Sequence, residues 1–182
     1  MWAWLKRLID PDAPAPALTR QQFERRVLRQ LARGRDRAGA LLLVKVDGLV
    51  DPARLHAGST REPAVRHVHD LVAALAPGCL VATAAPDALL VFVHDLTRGI
   101  DLAEVIRIAV QQAVDPACID DIEFDSAWSC TQPPGPPLLT VTVSACKVAP
   151  RHDLGDAIQQ AEDTMARARQ AGGNRVLWNA VV

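Results

Sequence analysis

The stretch that most constrains the fold of this chain is a pair of apolar runs joined by a turn, Leu80–Val93, which reads LVATAAPDALLVFV. Its second run, Leu89–Val93, is continuously apolar. Pro86 and Asp87 lie between the two runs, and both residue types favour the corner positions of a β-turn. The pattern predicts a β-hairpin with two buried strands, and therefore a sheet at the centre of the fold.

Composition allows such a sheet to be covered by a core. The chain has 182 residues, 49% of them hydrophobic, which suits one domain with an appendage. No apolar run reaches the roughly 18 residues that a membrane span needs, and the N-terminus lacks the apolar region and cleavage site of a signal peptide. We therefore expect a cytoplasmic protein, with membrane association through a partner kept open. The cysteines show no metal-binding spacing and are predicted to be reduced: Cys79, Cys118, Cys130 and Cys146.

The regions on both sides of the hairpin carry the signals of further helices and strands. Thr19 and Gln22 form a capping box, which predicts a helix that Gly34 ends. Helical spacing places Leu28 in the apolar stripe of this helix and Val105 in that of a later one. The other predicted helices are one with Pro63 in its first turn, one at Asp101–Val114 capped by Asp101, and one capped by Asp153. The other predicted strands are Ala40–Val46, a short one at Ile122–Phe124, Leu138–Cys146 and Arg175–Trp178. This mixture favours an α+β fold with a central, mostly antiparallel or mixed β-sheet flanked by helices.

Residues 1–16 are predicted to be an appendage to a domain at 17–182. Trp2, Leu5 and Ile9 lie near one stripe of a short amphipathic segment, with Trp4 beside that stripe, and a Pro-rich linker, DPDAPAP, follows the segment. Trp side chains are unfavourable in water, since each buries roughly 150–250 Å² when packed. Three destinations stay open for this segment: its own domain, a second copy or another protein, or an anionic membrane surface.

Charge is unevenly distributed along the chain, although the formal net charge is only −1. The first 37 residues hold nine basic and four acidic side chains, a net charge of +5, so the remainder carries −6. An anionic partner and a solvated helix face both explain this asymmetry. No nucleic-acid partner is predicted. The candidate interaction residues are Trp2, Trp4, Leu5, Arg25, Arg26 and Arg29.

Two late stretches and the order of the elements resemble the GGDEF domain, the diguanylate cyclase fold of bacterial second-messenger signalling. AEDTMARARQAGGNRV is similar to the family pattern A-D-x-A-L-Y-x-A-K-x-x-G-R-N-x-V, and LTVTVSACKVA is similar to L-T-V-S-I-G-V-A. The resemblance covers about residues 18–179. It implies a GGDEF, nucleotide-cyclase-like palm fold with the hairpin at its centre.

The resemblance also implies a nucleotide site. Members of the family join two GTP molecules into cyclic di-GMP, using metal ions held by carboxylates and glycines that let the backbone approach phosphate. Here Lys45 aligns with the first family Asp, and Asp47 aligns with the second Asp of the D-x-D pattern. The hairpin motif Gly-Gly-(Asp/Glu)-Glu-Phe falls on the residues from Ala85 to Leu89. The resemblance therefore implies a site with no catalytic residue, metal or cofactor. The degenerate active-site positions are Lys45, Asp47, Ala85, Pro86, Asp87, Ala88 and Leu89.

Other family features also differ in this sequence. Arg169 replaces the phosphate-binding Lys, whereas Asn174 of the family's G-R-N persists, so these two remain candidates for ligand binding. The inhibitory product site, R-x-x-D, falls on Ala76 and Cys79 and is predicted to be lost.

A preserved scaffold with altered site residues predicts a non-catalytic GGDEF-like domain, and not an enzyme. It would act as a protein-interaction or regulatory module in bacterial signalling related to cyclic di-GMP. The expected partner is another signalling protein, with a homo-oligomer left open. A sensor that binds GTP or cyclic di-GMP without turnover is the alternative. An active diguanylate cyclase is a further alternative, against which Lys45, Pro86 and Ala88 argue.

Overall fold

The computed structural model describes residues 18–34, 38–47, 61–113, 139–150 and 153–179. These residues form four helices and five strands, in agreement with the predicted α+β class. In chain order they are α1 (Arg20–Arg33), β1 (Gly39–Val46), α2 (Arg61–Leu75), β2 (Leu80–Ala85), β3 (Ala88–Val93), α3 (Leu96–Ala113), β4 (Val141–Val148), α4 (Leu154–Gln170) and β5 (Val176–Asn179). The predicted appendage with Trp2, Trp4 and Leu5, its boundary at residue 16 and the short strand at Ile122–Phe124 lie outside the described residues.

The five strands form one mixed sheet in the order β2-β3-β1-β4-β5. The pairs β2–β3, β3–β1 and β1–β4 are antiparallel, and only β4–β5 is parallel among the described strands. The predicted hairpin is therefore confirmed as β2 and β3. Its predicted burial is right for β3 and wrong for β2, which lies at the edge of the sheet and has only Ala82 fully buried. Strand β1 lies at the centre of the sheet. Its last residues therefore lie between the β2–β3 turn on one side and the turn that precedes β5 on the other.

Helices cover both faces of this sheet. Leu42 and Val44 of β1 point to one face, where they pack in a core with residues of α2 and α3. Leu41 and Leu43 point to the other face, where α1 and α4 bury them. A strand buried on both faces reads as a continuous apolar run, which explains the composition of β1 and β3. Within the described ranges, none of these helices has both the length and the apolar character needed to cross a membrane.

Two of the predicted helix caps are confirmed in the structure, those of α1 and α4. The Thr19 hydroxyl accepts the N–H of Gln22 at 3.3 Å, and the Gln22 side chain accepts the N–H of Thr19 at 3.2 Å, which completes the capping box. Asp153 accepts the N–H of Gly155 at 2.8 Å and caps α4. Short-range signals of this kind are read correctly from sequence because donor and acceptor are only two or three residues apart.

Three details of the predicted helices are wrong. Helix α3 begins at Leu96, five residues before the predicted cap at Asp101. Its first turn is stabilised by Asp95, whose carboxylate accepts the N–H of Arg98 at 2.9 Å. Leu28 and Val105 were placed in buried stripes but are 51% and 46% exposed. Each lies beside its helix's buried stripe, because the face in contact with the sheet is narrower than the apolar stripe in the sequence.

Candidate functional site at the end of the central strand

The polar side chains that the structure brings together lie where β1 ends. Because successive residues of a strand alternate between faces, Lys45 and Asp47 share the α4 side of the sheet with Leu43. The β2–β3 turn brings Asp87 beside Lys45. The last turn of α4 brings Arg169 within 4.0 Å of Asp47. The structure thus unites residues that are more than 120 positions apart in the sequence.

Asp47 is the most heavily bonded residue of this site. The Thr142 hydroxyl lies 2.6 and 2.7 Å from its two carboxylate oxygens, and the Thr140 hydroxyl donates to Oδ2 at 3.3 Å. The backbone N–H of Asn174 donates to Oδ2 at 2.8 Å. Its own N–H donates to the carbonyl of Thr140 at 2.9 Å. Asp47 therefore joins the end of β1 to β4 and to the turn between α4 and β5.

The turn after α4 is shaped to reach this carboxylate. Gly173 and Asn174 have φ angles of +68° and +46°, in the left-handed region that glycine tolerates best and asparagine tolerates better than most residues. A Cβ at position 173 would lie 3.1 Å from the Asp47 carboxylate, which leaves little room for a side chain. The pair Gly173-Asn174 thus lets the backbone approach Asp47 closely enough to donate a hydrogen bond.

A second contact ties the same turn to α3 on the opposite face of the sheet. Arg107 donates to the side-chain oxygen of Asn174 at 3.4 Å and to Gln111 at 3.1 Å. It also forms a hydrogen-bonded ion pair with Glu104, at 3.0 Å from Nε to Oε1. The hydrogen bond from Arg107 lowers the pKa of the exposed Glu104 carboxyl. Asn174 therefore uses its backbone for Asp47 and its side chain for α3.

The hairpin turn is attached to β1 by Asp87. Its carbonyl accepts the N–H of Val46 at 3.0 Å, and its carboxylate lies 3.8 Å from the ammonium of Lys45. Ala85 and Ala88 pair across the turn, next to a register shift after Thr83. Leu89, the last position of the family motif, is 4% exposed and packs in the core on the face covered by α2 and α3. The turn is thus held by the contacts of Asp87 with β1 and by the burial of Leu89 in the core.

A cleft of about 270 Å³ lies between β1, the hairpin and α4. Three of its lining residues carry charge, namely Lys45, Glu162 and Arg169. The remaining lining consists of alanines of the hairpin and α4 together with Leu43 and Met165. The cleft is therefore an apolar slot whose charged lining residues are two cations and one carboxylate.

The metal site that the resemblance implies is not formed by the described residues. Lys45 places a cation at the position of the first family Asp, and Ala88 supplies no ligand. The oxygens of Asp47 are already hydrogen-bonded to Thr142 and to Asn174. Across the described ranges, no three His, Cys, Asp or Glu side chains come close enough together to hold a metal ion. Mg²⁺ prefers an octahedral set of hard oxygen ligands, which these residues do not offer.

The structure brings some predicted site residues together and separates others. Lys45, Asp47, Asp87, Arg169 and Asn174 meet at one place, with Ala85 and Ala88 in the cleft wall. Pro86 is exposed in the turn. Ala76 and Cys79 lie at the opposite end of the hairpin. Burial raises the pKa of the Cys79 thiol above its ordinary value, although the nearby charge of Arg98 opposes this increase. Arg25, Arg26 and Arg29 are exposed on α1. The roles assigned to all these residues stay predictions.

Sequence reasoning missed the partners that hold Asp47. Thr140 and Thr142 are 8% and 0% exposed, although both are polar. Their spacing of two residues in the run LTVTVS places both hydroxyls on the same face of β4, and this alternation was the available signal. Arg107 was also missed, and nothing local in the sequence of α3 indicates its contact with Asn174.

Comparison with solved structures identifies the fold. The GGDEF domain of DgcB from Caulobacter crescentus, in complex with c-di-GMP, is 15% identical with a TM-score of 0.67 and covers 89% of this chain and 91% of its own. The active GGEEF domain of a diguanylate cyclase from Vibrio cholerae is 12% identical with a TM-score of 0.66, covering 88% and 96%. Diguanylate cyclase SiaD from Pseudomonas aeruginosa, in complex with its activator SiaC, is 11% identical with a TM-score of 0.59, covering 97% and 65%. Neither a protein-family model nor a curated protein sequence matches the chain.

These neighbours correct one prediction. The chain was predicted not to be an enzyme, but the proteins that share its fold include the active GGEEF domain of one diguanylate cyclase and a second diguanylate cyclase, SiaD. That prediction is therefore wrong in treating the residues at positions 45 and 88 as sufficient, because this fold is found in active enzymes. At 10–18% identity the likeness shows the fold. The predicted resemblance is confirmed at that level: the described part of this chain has the palm-like α+β fold of the GGDEF domains of c-di-GMP signalling proteins.

Proposed function

We propose that this chain is a regulatory module of cyclic di-GMP-related signalling that acts by binding another signalling protein. The observation that carries the proposal is the outer face of α1. One side of this helix packs on the sheet through Phe23, Val27 and Leu31. The solvent-facing side carries Arg25 and Arg29, and Leu28, which is 51% exposed, lies at the edge of that side beside the buried stripe.

This outer face has the chemistry of a contact surface for an acidic protein. Arg is enriched in protein interfaces, because its guanidinium binds carboxylates through two parallel hydrogen bonds. Burial of the exposed Leu28 by a partner would add apolar area to this contact. The complex of SiaD with its activator SiaC supports a protein partner for a domain of this fold. The proposed partner surface is therefore acidic with an apolar pocket.

The organisation that we propose adds the N-terminal segment to this surface. Residues 1–16 form a separate segment whose Trp2 and Trp4 act as further anchors for the partner, and residues 17–182 form the domain. The proposed location is the cytoplasm. A second copy of the chain or a membrane surface remains an alternative destination for the segment.

A photo-crosslinking amino acid at position 28 tests the proposal in cells. We expect a crosslinked protein that mass spectrometry identifies as a synthase, hydrolase or receptor of cyclic di-GMP. Arg29→Glu should abolish the crosslink, whereas Lys147→Glu, the same charge change on an exposed residue of β4, should keep it. A crosslink that survives both substitutions contradicts the proposal. Turnover of GTP by the purified chain, in proportion to its concentration, would show that the chain acts by synthesis instead.

The second candidate function is the binding of a guanine nucleotide, GTP or cyclic di-GMP. The cleft lined by Lys45 and Arg169 favours it, because both cations border an apolar slot next to the hairpin turn. Calorimetric titration of the purified chain with each nucleotide tests this candidate. A saturable heat signal that Arg169→Gln weakens supports it, and the absence of binding by both nucleotides excludes it.

A further inference from the structure

We propose that the cleft between β1, the hairpin and α4 binds the phosphate groups of an anionic ligand directly through Lys45 and Arg169, with no divalent metal ion. This inference rests on the second candidate function and specifies how its ligand is held. The ligand class is a phosphate chain, either free or as part of a nucleotide.

Both cations have hydrogen-bonding capacity left over. A Lys ammonium offers three donors and an Arg guanidinium offers five. Within the described residues, the contact made by Lys45 is with Asp87 at 3.8 Å, and that made by Arg169 is with Asp47 at 4.0 Å. Both distances exceed the 2.7–3.2 Å or so of a hydrogen bond from N–H to oxygen. These ion pairs hold the cations in place and leave their donors available to a ligand.

The shape of the cleft favours a phosphate chain over a whole nucleotide. Its volume of about 270 Å³ is below the roughly 300–1,000 Å³ of pockets that enclose drug-sized ligands. Its apolar walls, from Ala85, Ala88 and Met165, reduce the local dielectric and strengthen the attraction of the two cations for an anion. Glu162 is the single acidic residue of the lining, so the charge of the lining stays positive.

The same residues explain why a metal ion is not needed. Lys45 is a compact point charge at the end of β1, and its side chain is 26% exposed at the cleft. Asp47 is hydrogen-bonded to Thr142 and Asn174, so its oxygens are already engaged. The ammonium of Lys45 thus supplies the positive charge that would otherwise have to come from a cation in solution.

Calorimetric titration of the full chain with sodium triphosphate tests the inference. We expect saturable binding in the presence of EDTA, and no gain in affinity when MgCl₂ replaces EDTA. Arg169→Gln and Lys45→Met should each weaken binding about tenfold or more, because each removes charged hydrogen bonds to the ligand. Lys147→Gln, which removes one charge from an exposed residue of β4, is the matched control and should leave the affinity unchanged.

A gain-of-affinity variant separates ligand binding from a structural role. Asp87→Asn removes the carboxylate that lies 3.8 Å from Lys45 and keeps the shape of the turn residue. We expect it to strengthen triphosphate binding by about threefold to tenfold, because the ammonium loses a competing anion. A residue that merely stabilised the fold would not produce this gain. Thermal melts of each variant show that the protein stays folded.

Three outcomes overturn the inference: no triphosphate binding, binding that requires Mg²⁺, or binding that Lys45→Met and Arg169→Gln leave unchanged. Its failure is distinguishable from that of the candidate function. If GTP or cyclic di-GMP binds but triphosphate does not, nucleotide binding stands and the proposed phosphate contacts are wrong. If triphosphate binds in the cleft and neither nucleotide does, the phosphate site stands and the nucleotide function is wrong.

Discussion

Truncation of Asp47 to Ala is the perturbation that best tests the structural account of the site. Interpreted from the sequence alone, Asp47 is a strand-end residue in a turn, and its loss should change the free energy of unfolding by less than about 1 kcal/mol. The structure instead gives its carboxylate the hydroxyl of Thr142 at 2.6 Å and the backbone N–H of Asn174 at 2.8 Å. The sequence and the structure therefore predict different losses of unfolding free energy for Asp47→Ala.

The expected magnitude follows from these contacts. A hydrogen bond to a charged group contributes roughly 1.5–3 kcal/mol, and a buried donor left without a partner adds a desolvation penalty. Thr142 is 0% exposed, so its hydroxyl has little access to water when the carboxylate is gone. We expect Asp47→Ala to lower the free energy of unfolding by about 3–5 kcal/mol, and Asp47→Asn by about 1–2 kcal/mol, since the amide keeps one acceptor.

Urea melts monitored by circular dichroism measure these changes. Asp156→Ala is the control, because this exposed carboxylate in the first turn of α4 should contribute at most about 1 kcal/mol through the helix dipole. Combined with Thr142→Val, Asp47→Ala should cost less than the sum of the single changes, with a coupling of about 0.5–3 kcal/mol. If Asp47→Ala lowers the free energy of unfolding no more than Asp156→Ala does, the hydrogen bonds of Asp47 do not stabilise the fold as proposed.

Further predictions concern the core, the thiols and the N-terminal segment. Leu89→Ala should lower stability by roughly 2–5 kcal/mol and Ala85→Gly by less than about 1 kcal/mol; a melt that ranks them the other way contradicts the burial of Leu89. Burial raises the pKa of the Cys146 thiol to about 11. The contribution of this thiol to the free energy of unfolding should therefore be constant below about pH 9 and decrease between about pH 9 and pH 11, because the thiol of the unfolded chain ionises first. Cys146→Ala should make the free energy of unfolding decrease less over this pH range. Deletion of residues 1–12 should leave the urea midpoint unchanged, because four helices already cover the described sheet; a lower midpoint would show that Trp2 and Trp4 pack on the domain.

The hairpin and the caps could be predicted because their signals are local. Pro86 and Asp87 mark the turn and Thr19 with Gln22 marks a helix start, and each pattern spans only a few residues. Because such signals are only local, they also led to the wrong predicted start of α3. Asp101 is a good capping residue in sequence, but Asp95 caps the helix instead, and the close packing of Gly99 on Ala40 of β1 favours the longer helix. Which of two capping candidates is used depends on tertiary contacts that periodicity does not carry.

The site could be predicted only as a set of positions. The resemblance placed Lys45, Asp47, Asp87 and Arg169 near one another, and the structure shows two ion pairs among them. It could not indicate that the Asp47 carboxylate is hydrogen-bonded within the fold, because the donors lie 93 to 127 positions away. The alternation in LTVTVS places Thr140 and Thr142 on one face of β4 but does not show which residue they contact.

These contacts change what the presence of an acidic residue at the end of β1 means. Asp47 is held by two hydroxyls of β4 and by the turn after α4, so its carboxylate is part of the scaffold. The scaffold therefore accounts for an acidic residue here without a metal ion. Lys45, two residues earlier on the same face, makes one long ion pair and borders the cleft, so this position can change without dismantling the sheet. We therefore expect substitutions at position 45 to change ligand binding in the cleft, and substitutions at position 47 to lower the free energy of unfolding.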